Sequence, residues 1–360
     1  MDRRDMIKTL AGGTALAAGA MTLGRRAHAA KGIRWKMVTA WPKNFPGLGT
    51  GANRLAARIG EMSGGRLTVK VYGAGELVPP FEVFDAVASG TAQMGHAAAH
   101  YWKGKVPASP FFTGVPYGFT GQEMDAWLYY GGGMELWREL YAPFGLVPAA
   151  AGNSTVQMAG WFNKEIRSLD DLKGLKMRIP GLGGDVIKRV GGTPVNIPGG
   201  EIFSALKSGA IDATEWIGPY NDLAFGFYKA AKYYYYPGWQ EPGGTLECTI
   251  NQKALAALPD DLQAIVLEAC RVANADLTAE YTARDAAALQ TLQQKHGVQV
   301  RRLPDEVLQQ LRTVAYQVLE DVAARDKQVA KVYESFRRFH EQASAWHAIS
   351  ERAYYNARAL

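Results

Sequence analysis

Ile33-Arg34-Trp35-Lys36-Met37-Val38-Thr39-Ala40 reads as a strand, and the segments that follow it decide the fold. A helical stretch around Asn53 to Met62 comes next, then a strand Leu67 to Val71, a helix Pro80 to Ala88 and a strand Ala92 to His96. Gly64-Gly65 stops the first helix and Gly90 the second. Strands and helices alternating over spans this short predict a parallel or mixed sheet with helices on its faces. The same rhythm returns at Val156, with strands Val156 to Phe162, Leu175 to Ile179, Pro194 to Ile197 and Ile211 to Trp216. Between them lie short helices at Leu169 to Leu172, Asp185 to Val190 and Glu201 to Lys207. The chain therefore predicts two α/β lobes.

Working outward, the tyrosine run Tyr233 to Tyr236 leads into Pro237, Gly238, Pro242, Gly243 and Gly244, a breaker-rich crossing back to the first lobe. Thr245 to Asn251 then reads as a strand rejoining the first sheet, followed by a helix Asp260 to Lys295 and a short strand Val298 to Leu303. Pro304 opens a long helical segment whose apolar stripe is Val307, Leu311, Val314, Val318 and Val322, extended by Val329, Val332 and Phe336. Such a segment either braces both lobes or packs on a second subunit. The expected boundaries are lobe one at 30–153 and 243–303, lobe two at 154–242, and the C-terminal helical segment at 304–360.

At the other end, Arg3 and Arg4 precede a weakly hydrophobic stretch Leu10 to Leu23 and the small-residue site Ala27-His28-Ala29. This is the pattern of a twin-arginine export signal covering 1–29, far shorter than the ~20 apolar residues of a spanning helix. Its removal takes five basic and two acidic residues from the totals of 40 and 34, leaving 35 against 32. A balance of +3 with no dense Lys and Arg cluster gives no reason to expect a nucleic-acid partner. The chain has 360 residues, 48% hydrophobic and 21% charged, which excludes disordered and collagen-like classes and leaves room for two cored domains. Cys248 and Cys270 are too few for a disulfide scaffold or a four-ligand zinc cluster, and in an oxidising compartment they could pair or stay buried and free.

Enzyme signatures are missing from the sequence: there is no phosphate loop, no HExxH, no GxSxG and no dinucleotide fingerprint. His96 and His100, four apart, could ligate a metal on a helix, but His96 reads as a strand end. Polar residues at strand ends in lobe two are more informative, because ligand sites in α/β sheets gather there. Gln157 opens an apolar strand, Arg178 closes another, and Glu215 precedes Trp216 at the end of a third. The planar fork of an arginine suits a small carboxylate, although Arg178 could instead pair locally with Asp170 or Asp171. Glu215 and Glu241 flank the tyrosine strand. With the amide oxygen of Gln157 they could form a hard-cation site, act as a glycosidase-like acid and base pair, or simply be surface glutamates.

Several stretches together resemble the solute-binding receptors of tripartite ATP-independent periplasmic (TRAP) transporters, the DctP family. They are Gly75-Glu76-Leu77-Val78-Pro79 with Ala86 to Gly95, Gln157-Met158-Ala159-Gly160-Trp161-Phe162 and Leu172-Lys173-Gly174-Leu175-Lys176-Met177-Arg178. Ala205 to Gly209, Ile211-Asp212-Ala213-Thr214-Glu215-Trp216 and Tyr233 to Trp239 continue the likeness, which spans nearly the whole mature chain and is closest to the 2-oxo acid type. The resemblance implies a two-lobed, type II-like periplasmic binding fold, no catalysis, and delivery of a pyruvate-like monocarboxylate to a membrane permease. It implies that Arg178 grips the substrate carboxylate with Gln157 and Tyr101 beside it. It also implies that Gln157, Glu215, the Trp216 carbonyl and Glu241 hold a cation, sodium first and calcium as the alternative. A homodimer through the C-terminal helix is implied as well. His100-Tyr101-Trp102-Lys103 and Gln240 depart from the more aromatic pattern of the 2-oxo acid type. Lactate with calcium, or a branched 2-oxo acid, therefore stays an alternative ligand, and a secreted metal-assisted hydrolase or lyase an alternative function.

Overall fold

Glycines at positive φ end the first predicted helix, Gly64 at 60° and Gly65 at 78°, a conformation that costs an L side chain energy and a glycine none. The computed structural model describes residues 32–360, so the export signal and its cleavage site lie outside the described residues. The first group of elements is β1 (Ile33–Thr39), α1 (Leu48–Met62), β2 (Leu67–Tyr72), α2 (Val83–Ala88), β3 (Met94–Ala97), α3 (Gly121–Tyr130), α4 (Gly133–Tyr141) and β4 (Leu146–Asn153). The second is β5 (Gly160–Phe162), β6 (Lys176–Arg178), α5 (Gly181–Arg189), β7 (Thr193–Val195), α6 (Gly199–Ser208), β8 (Ala213–Thr214), α7 (Pro219–Phe225) and β9 (Tyr233–Tyr236). The chain returns through β10 (Thr245–Asn251) and α8 (Gln252–Ala256) to α9 (Asp260–His296) and β11 (Gln299–Arg302). It ends in α10 (Asp305–Arg325), α11 (Lys327–Ile349) and α12 (Glu351–Arg358).

Two sheets result. The first has the order β2-β1-β3-β10-β4, with β1 parallel to β2 and β3, and β10 antiparallel to both β3 and β4. Leu55 and Ile59 of α1 and Val266, Ala269 and Ala273 of α9 pack on Met37, Met94 and Ile250 of this sheet. Full burial of each large aliphatic side chain contributes about 1.5–3 kcal/mol. Cys248 on β10 and Cys270 on α9 sit in this core as free thiols.

The second sheet has the order β11-β9-β5-β8-β6-β7. This corrects the expected boundary of lobe one at 243–303, because β11 pairs in parallel with the tyrosine strand, Gln299 opposite Tyr233 through Arg302 opposite Tyr236. Arg301 lies 4.7 Å from the centre of the Tyr233 ring, so the strand covers an edge of lobe two. The expected strand Val156 to Phe162 also pairs as a strand only over Gly160–Phe162. Upstream, the Gln157 N–H donates to the Glu241 carbonyl (3.3 Å) and the Met158 N–H to the Ile217 carbonyl (2.9 Å). That stretch ties the crossing segments together instead of extending a ladder.

The C-terminal segment touches both lobes. Val307, Leu311, Ala315 and Val318 of α10 join Met177, Val186 and Ile187 in the core of lobe two. Phe336 of α11 packs against Phe111, Phe119 and Trp127 of lobe one with ring centres 4.1 to 5.7 Å apart. Asp326 accepts from the N–H groups of Gln328 and Val329 and so starts α11 after a break.

Glu247 of β10 is fully buried, accepting from Trp102 Nε1 and, at 2.8 Å, from the Tyr141 hydroxyl. Burial pushes its carboxyl up to about 7, against the opposing pull of those two donors. Between the unfolded value near 4.5 and about 7, the unfolded chain has released the proton and the folded one still holds it. Stability therefore falls as pH rises through that window, and the loss is complete above it. Glu247→Gln should raise the melting temperature at pH 8 and leave it unchanged at pH 4, measured by thermal denaturation at both values. An equal shift at the two pH values would contradict this.

Candidate ligand and cation site

The carboxyl ends of β3, β6 and β8 face one another across the junction of the lobes, where α/β sheets place their ligands. Beyond β3 the chain makes a tight turn, Ala99–Trp102, that carries His100 and Tyr101. Arg178 ends β6, and Glu215-Trp216 follow β8. Gln157 precedes β5, and Glu241 lies in the crossing segment between β9 and β10. Tyr101, Gln157, Arg178, Glu215, Trp216 and Glu241 all line one small cavity.

Arg178 is only 1% exposed. Its Nη1 donates to Glu215 Oε1 at 2.5 Å and to the Glu215 carbonyl at 3.4 Å, and its Nε donates to the Ile197 carbonyl at 3.2 Å. Among the described residues Nη2 has a single long contact, 3.4 Å to the Tyr101 hydroxyl. The guanidinium carbon sits 5.0 Å from the centre of the Trp216 ring. Gly199 leaves room for that indole, since a Cβ there would fall 2.4 Å from the ring. The local pairing with Asp170 or Asp171 does not form: Asp170 bonds Lys173, and Asp171 accepts from the N–H groups of Arg167 and Ser168.

Burial raises the Glu215 carboxyl to about 8, although Arg178 pulls the other way and Glu241 adds to the rise. For Arg178 burial alone would lower the guanidinium, but Glu215 and Tyr101 outweigh it and the net direction is up. Burial also raises the Tyr101 hydroxyl to about 12, so it stays a neutral donor at any physiological pH.

Gln157 donates from Nε2 to Ser154 Oγ at 3.0 Å and to Glu241 Oε2 at 2.9 Å. Its Oε1 is buried with no partner. The other Glu241 oxygen lies 2.9 Å from His100 Nδ1, off the axis along which a ring N–H would donate, so the two are in close contact without a formed hydrogen bond. Among the described residues no group of three His, Cys, Asp or Glu could hold a metal. What the cavity offers is two carboxylates and a free amide oxygen, a hard-oxygen set that fits sodium or calcium and not zinc. His96 is spent elsewhere: Nδ1 accepts from Trp41 Nε1 at 2.8 Å, Nε2 is 3.3 Å from the Ala151 carbonyl, and burial lowers the ring to about 4.

Sequence reasoning missed Ser154, Trp41 and Gly244 as lining residues and weighed His100 only as a metal partner of His96 and as part of a stretch beside the site. The polar break Asn153-Ser154-Thr155 after β4 and the pair Gly243-Gly244 were the available signals. Lys103 Nζ crosses between the lobes, donating to the Gly181 carbonyl at 2.9 Å and to Asp185 at 2.7 Å.

Residues 37–326 match the family model DctP, described as bacterial extracellular solute-binding protein, family 7. A monocarboxylate 2-oxoacid-binding periplasmic protein of Nostoc sp. is 44% identical over 324 residues, covering 90% of this chain and 88% of the relative. A TRAP periplasmic solute-binding protein from Pseudoalteromonas atlantica, solved with bound sodium and pyruvate, superposes with a TM-score of 0.88. It is 44% identical over 91% of this chain and 99% of that one. A second, from Colwellia psychrerythraea with bound calcium and pyruvate, gives a TM-score of 0.88 at 43% identity, covering 91% of this chain and all of the other.

Proposed function

The chain belongs to the DctP family of bacterial extracellular solute-binding proteins, and on that premise we propose that it is a TRAP receptor for a small 2-oxo monocarboxylate bound together with a cation. The observation that carries the reading is the half-satisfied guanidinium of Arg178, buried between the lobes with Nη1 spent on Glu215 and Nη2 nearly free. A substrate carboxylate would take the Nη2 edge, with the Tyr101 hydroxyl and the Gln157 side chain beside it. Charge then demands a cation. A bound cation would draw Glu215 into its ionised form against the burial that raises its carboxyl; with both glutamates ionised, Arg178 against Glu215, Glu241 and one carboxylate leaves two negative charges in a buried cavity, which sodium reduces to one and calcium cancels.

Gln157, Glu215, the Trp216 carbonyl and Glu241 are the residues proposed to hold that ion, and sodium is the first choice with calcium as the alternative. The ion would neutralise the carboxylates and present positive charge to the substrate oxygens. Closing the lobes over the site excludes water and strengthens the Arg178 contact, and the closed form is what the permease would read. A hydrolase or lyase is the competing function, and one experiment separates them. The purified protein mixed with an equivalent of pyruvate should bind it one to one and return it chemically unchanged by NMR after hours, whereas turnover would overturn the receptor reading.

Export through the twin-arginine route by Arg3 and Arg4 is part of the proposal, as is a homodimer. Past Phe336 the C-terminal helices leave Trp346 (60%), Ile349 (74%) and Tyr354 (63%) exposed, an apolar face suited to a second copy. Light scattering of the mature protein at working concentration should give twice the monomer mass, and a monomer would remove this element.

A further inference from the structure

An amide side chain offers a cation nothing unless its oxygen faces the ion, and amide groups turn over easily unless their neighbours fix them. We infer that Ser154 and Gly244 hold the Gln157 amide with its oxygen toward the cavity, making Ser154 a positioning residue for the cation, an inference that rests on the proposed cation-coupled receptor function. Ser154 Oγ accepts from Gln157 Nε2 at 3.0 Å while donating to the Gly244 carbonyl at 3.1 Å. With its proton committed to that carbonyl, the hydroxyl presents a lone pair and selects the amide nitrogen. Glu241 Oε2, 2.9 Å from the same nitrogen, is an acceptor and selects it again. Both hydrogens of Nε2 are thereby used, and Oε1 is left buried without a donor. The amide is loaded in one orientation before any ion arrives.

Gly244 is part of the same device. Its backbone φ is not in the left-handed region, so conformation does not require a glycine there. Space does: a Cβ would stand 2.5 Å from Ser154 Oγ, 2.7 Å from Gln157 Nε2 and 3.3 Å from Glu241 Oε2. A methyl group at this point drives into the centre of the triangle that orients the amide. The Ser154 N–H also donates to the Gly244 carbonyl at 2.8 Å, which fixes the hydroxyl relative to its acceptor.

The test uses the mature full-length protein stripped of metal, with pyruvate affinity measured across a range of sodium chloride and, separately, calcium chloride at constant ionic strength. Ser154→Ala should raise the cation concentration giving half-maximal pyruvate affinity by about tenfold, the scale on which outer partners of metal ligands act. At saturating cation its pyruvate affinity should return to within about twofold of wild type, and the melting temperature of its cation-free form should fall by only a few degrees, as expected for loss of one neutral hydrogen bond. Ser154→Thr keeps the acceptor and should restore the wild-type cation midpoint. Gly244→Ala should lose cation dependence at all accessible concentrations. An unchanged midpoint in Ser154→Ala, or a loss of pyruvate affinity that saturating cation does not recover, would overturn the positioning role while leaving the receptor reading intact. Wild-type pyruvate affinity indifferent to both cations would instead overturn the cation-coupled reading beneath it.

Discussion

Arg178→Ala should lower pyruvate affinity by at least tenfold and on the order of a hundredfold, since hydrogen bonds to charged groups contribute about 1.5–3 kcal/mol each. The change also strands Glu215, whose partner at 2.5 Å is the Arg178 guanidinium. Breaking one side of a buried pair costs about 3–5 kcal/mol, so the melting temperature should fall too. Two further variants keep binding and stability apart. Arg178→Lys retains the charge without the fork and should bind at an intermediate level. The double variant Arg178→Met with Glu215→Gln removes both charges and should recover stability without recovering affinity. Titration calorimetry on the three, beside thermal denaturation, decides the matter. Affinity within threefold of wild type in Arg178→Ala would remove Arg178 from the site.

The second large effect concerns the choice of ion. Glu241→Gln keeps the shape of the side chain and removes one of the two carboxylate charges, so Arg178, Glu215 and a bound monocarboxylate leave one negative charge instead of two. Sodium then balances the site, while calcium overshoots it by one. A unit charge about 4 Å away contributes about 4 kcal/mol at the effective dielectric of a protein site, and a divalent ion feels twice what a monovalent one does. Calcium-supported pyruvate binding should weaken by at least a hundredfold, and sodium-supported binding by a clearly smaller factor. Calorimetry in the two salts reads the ratio directly. Equal losses in both would mean that Glu241 acts through Gln157 and His100, its neighbours at 2.9 Å, and not through its charge on the ion.

Much of the frame is written locally. The strand Tyr233–Tyr236 ends at Pro237-Gly238, the strand Thr245–Asn251 starts after Gly243-Gly244, and the long helix Asp260–His296 is bounded by Pro259 and Gly297. Other features depend on partners distant in sequence. The residues Val156 to Ala159 carry the apolar pattern of a strand, yet the N–H groups of Gln157, Met158 and Ala159 go to the carbonyls of Glu241, Ile217 and Tyr235, which no local pattern discloses. Likewise Gln299–Arg302 has too little apolar alternation to say which sheet it joins, and the exposed edge of the tyrosine strand decides it.

The site divides the same way. Arg178, Gln157, Glu215 and Glu241 were visible as polar residues interrupting apolar stretches. Arg178 escapes its local carboxylates because Asp170 and Asp171 are engaged with Lys173 and with the backbone at Arg167 and Ser168. Ser154 and Gly244 gave only a weak signal, because a serine in a polar loop and a glycine in a breaker-rich crossing have ordinary local explanations. Their meaning arises only when the two segments meet at 2.8 Å. Tyr234 is packing rather than binding wall, stacked on Trp161 with ring centres 4.1 Å apart.

In the proposed receptor, substrate and cation bind as one unit between the lobes. Isothermal titration of the mature, metal-stripped protein with pyruvate, in parallel with sodium, with calcium and with neither, tests it most directly. Tight one-to-one binding that appears with at least one of the two ions and vanishes without them is the result the account predicts. Pyruvate binding of equal strength in all three titrations, or in none, would contradict it.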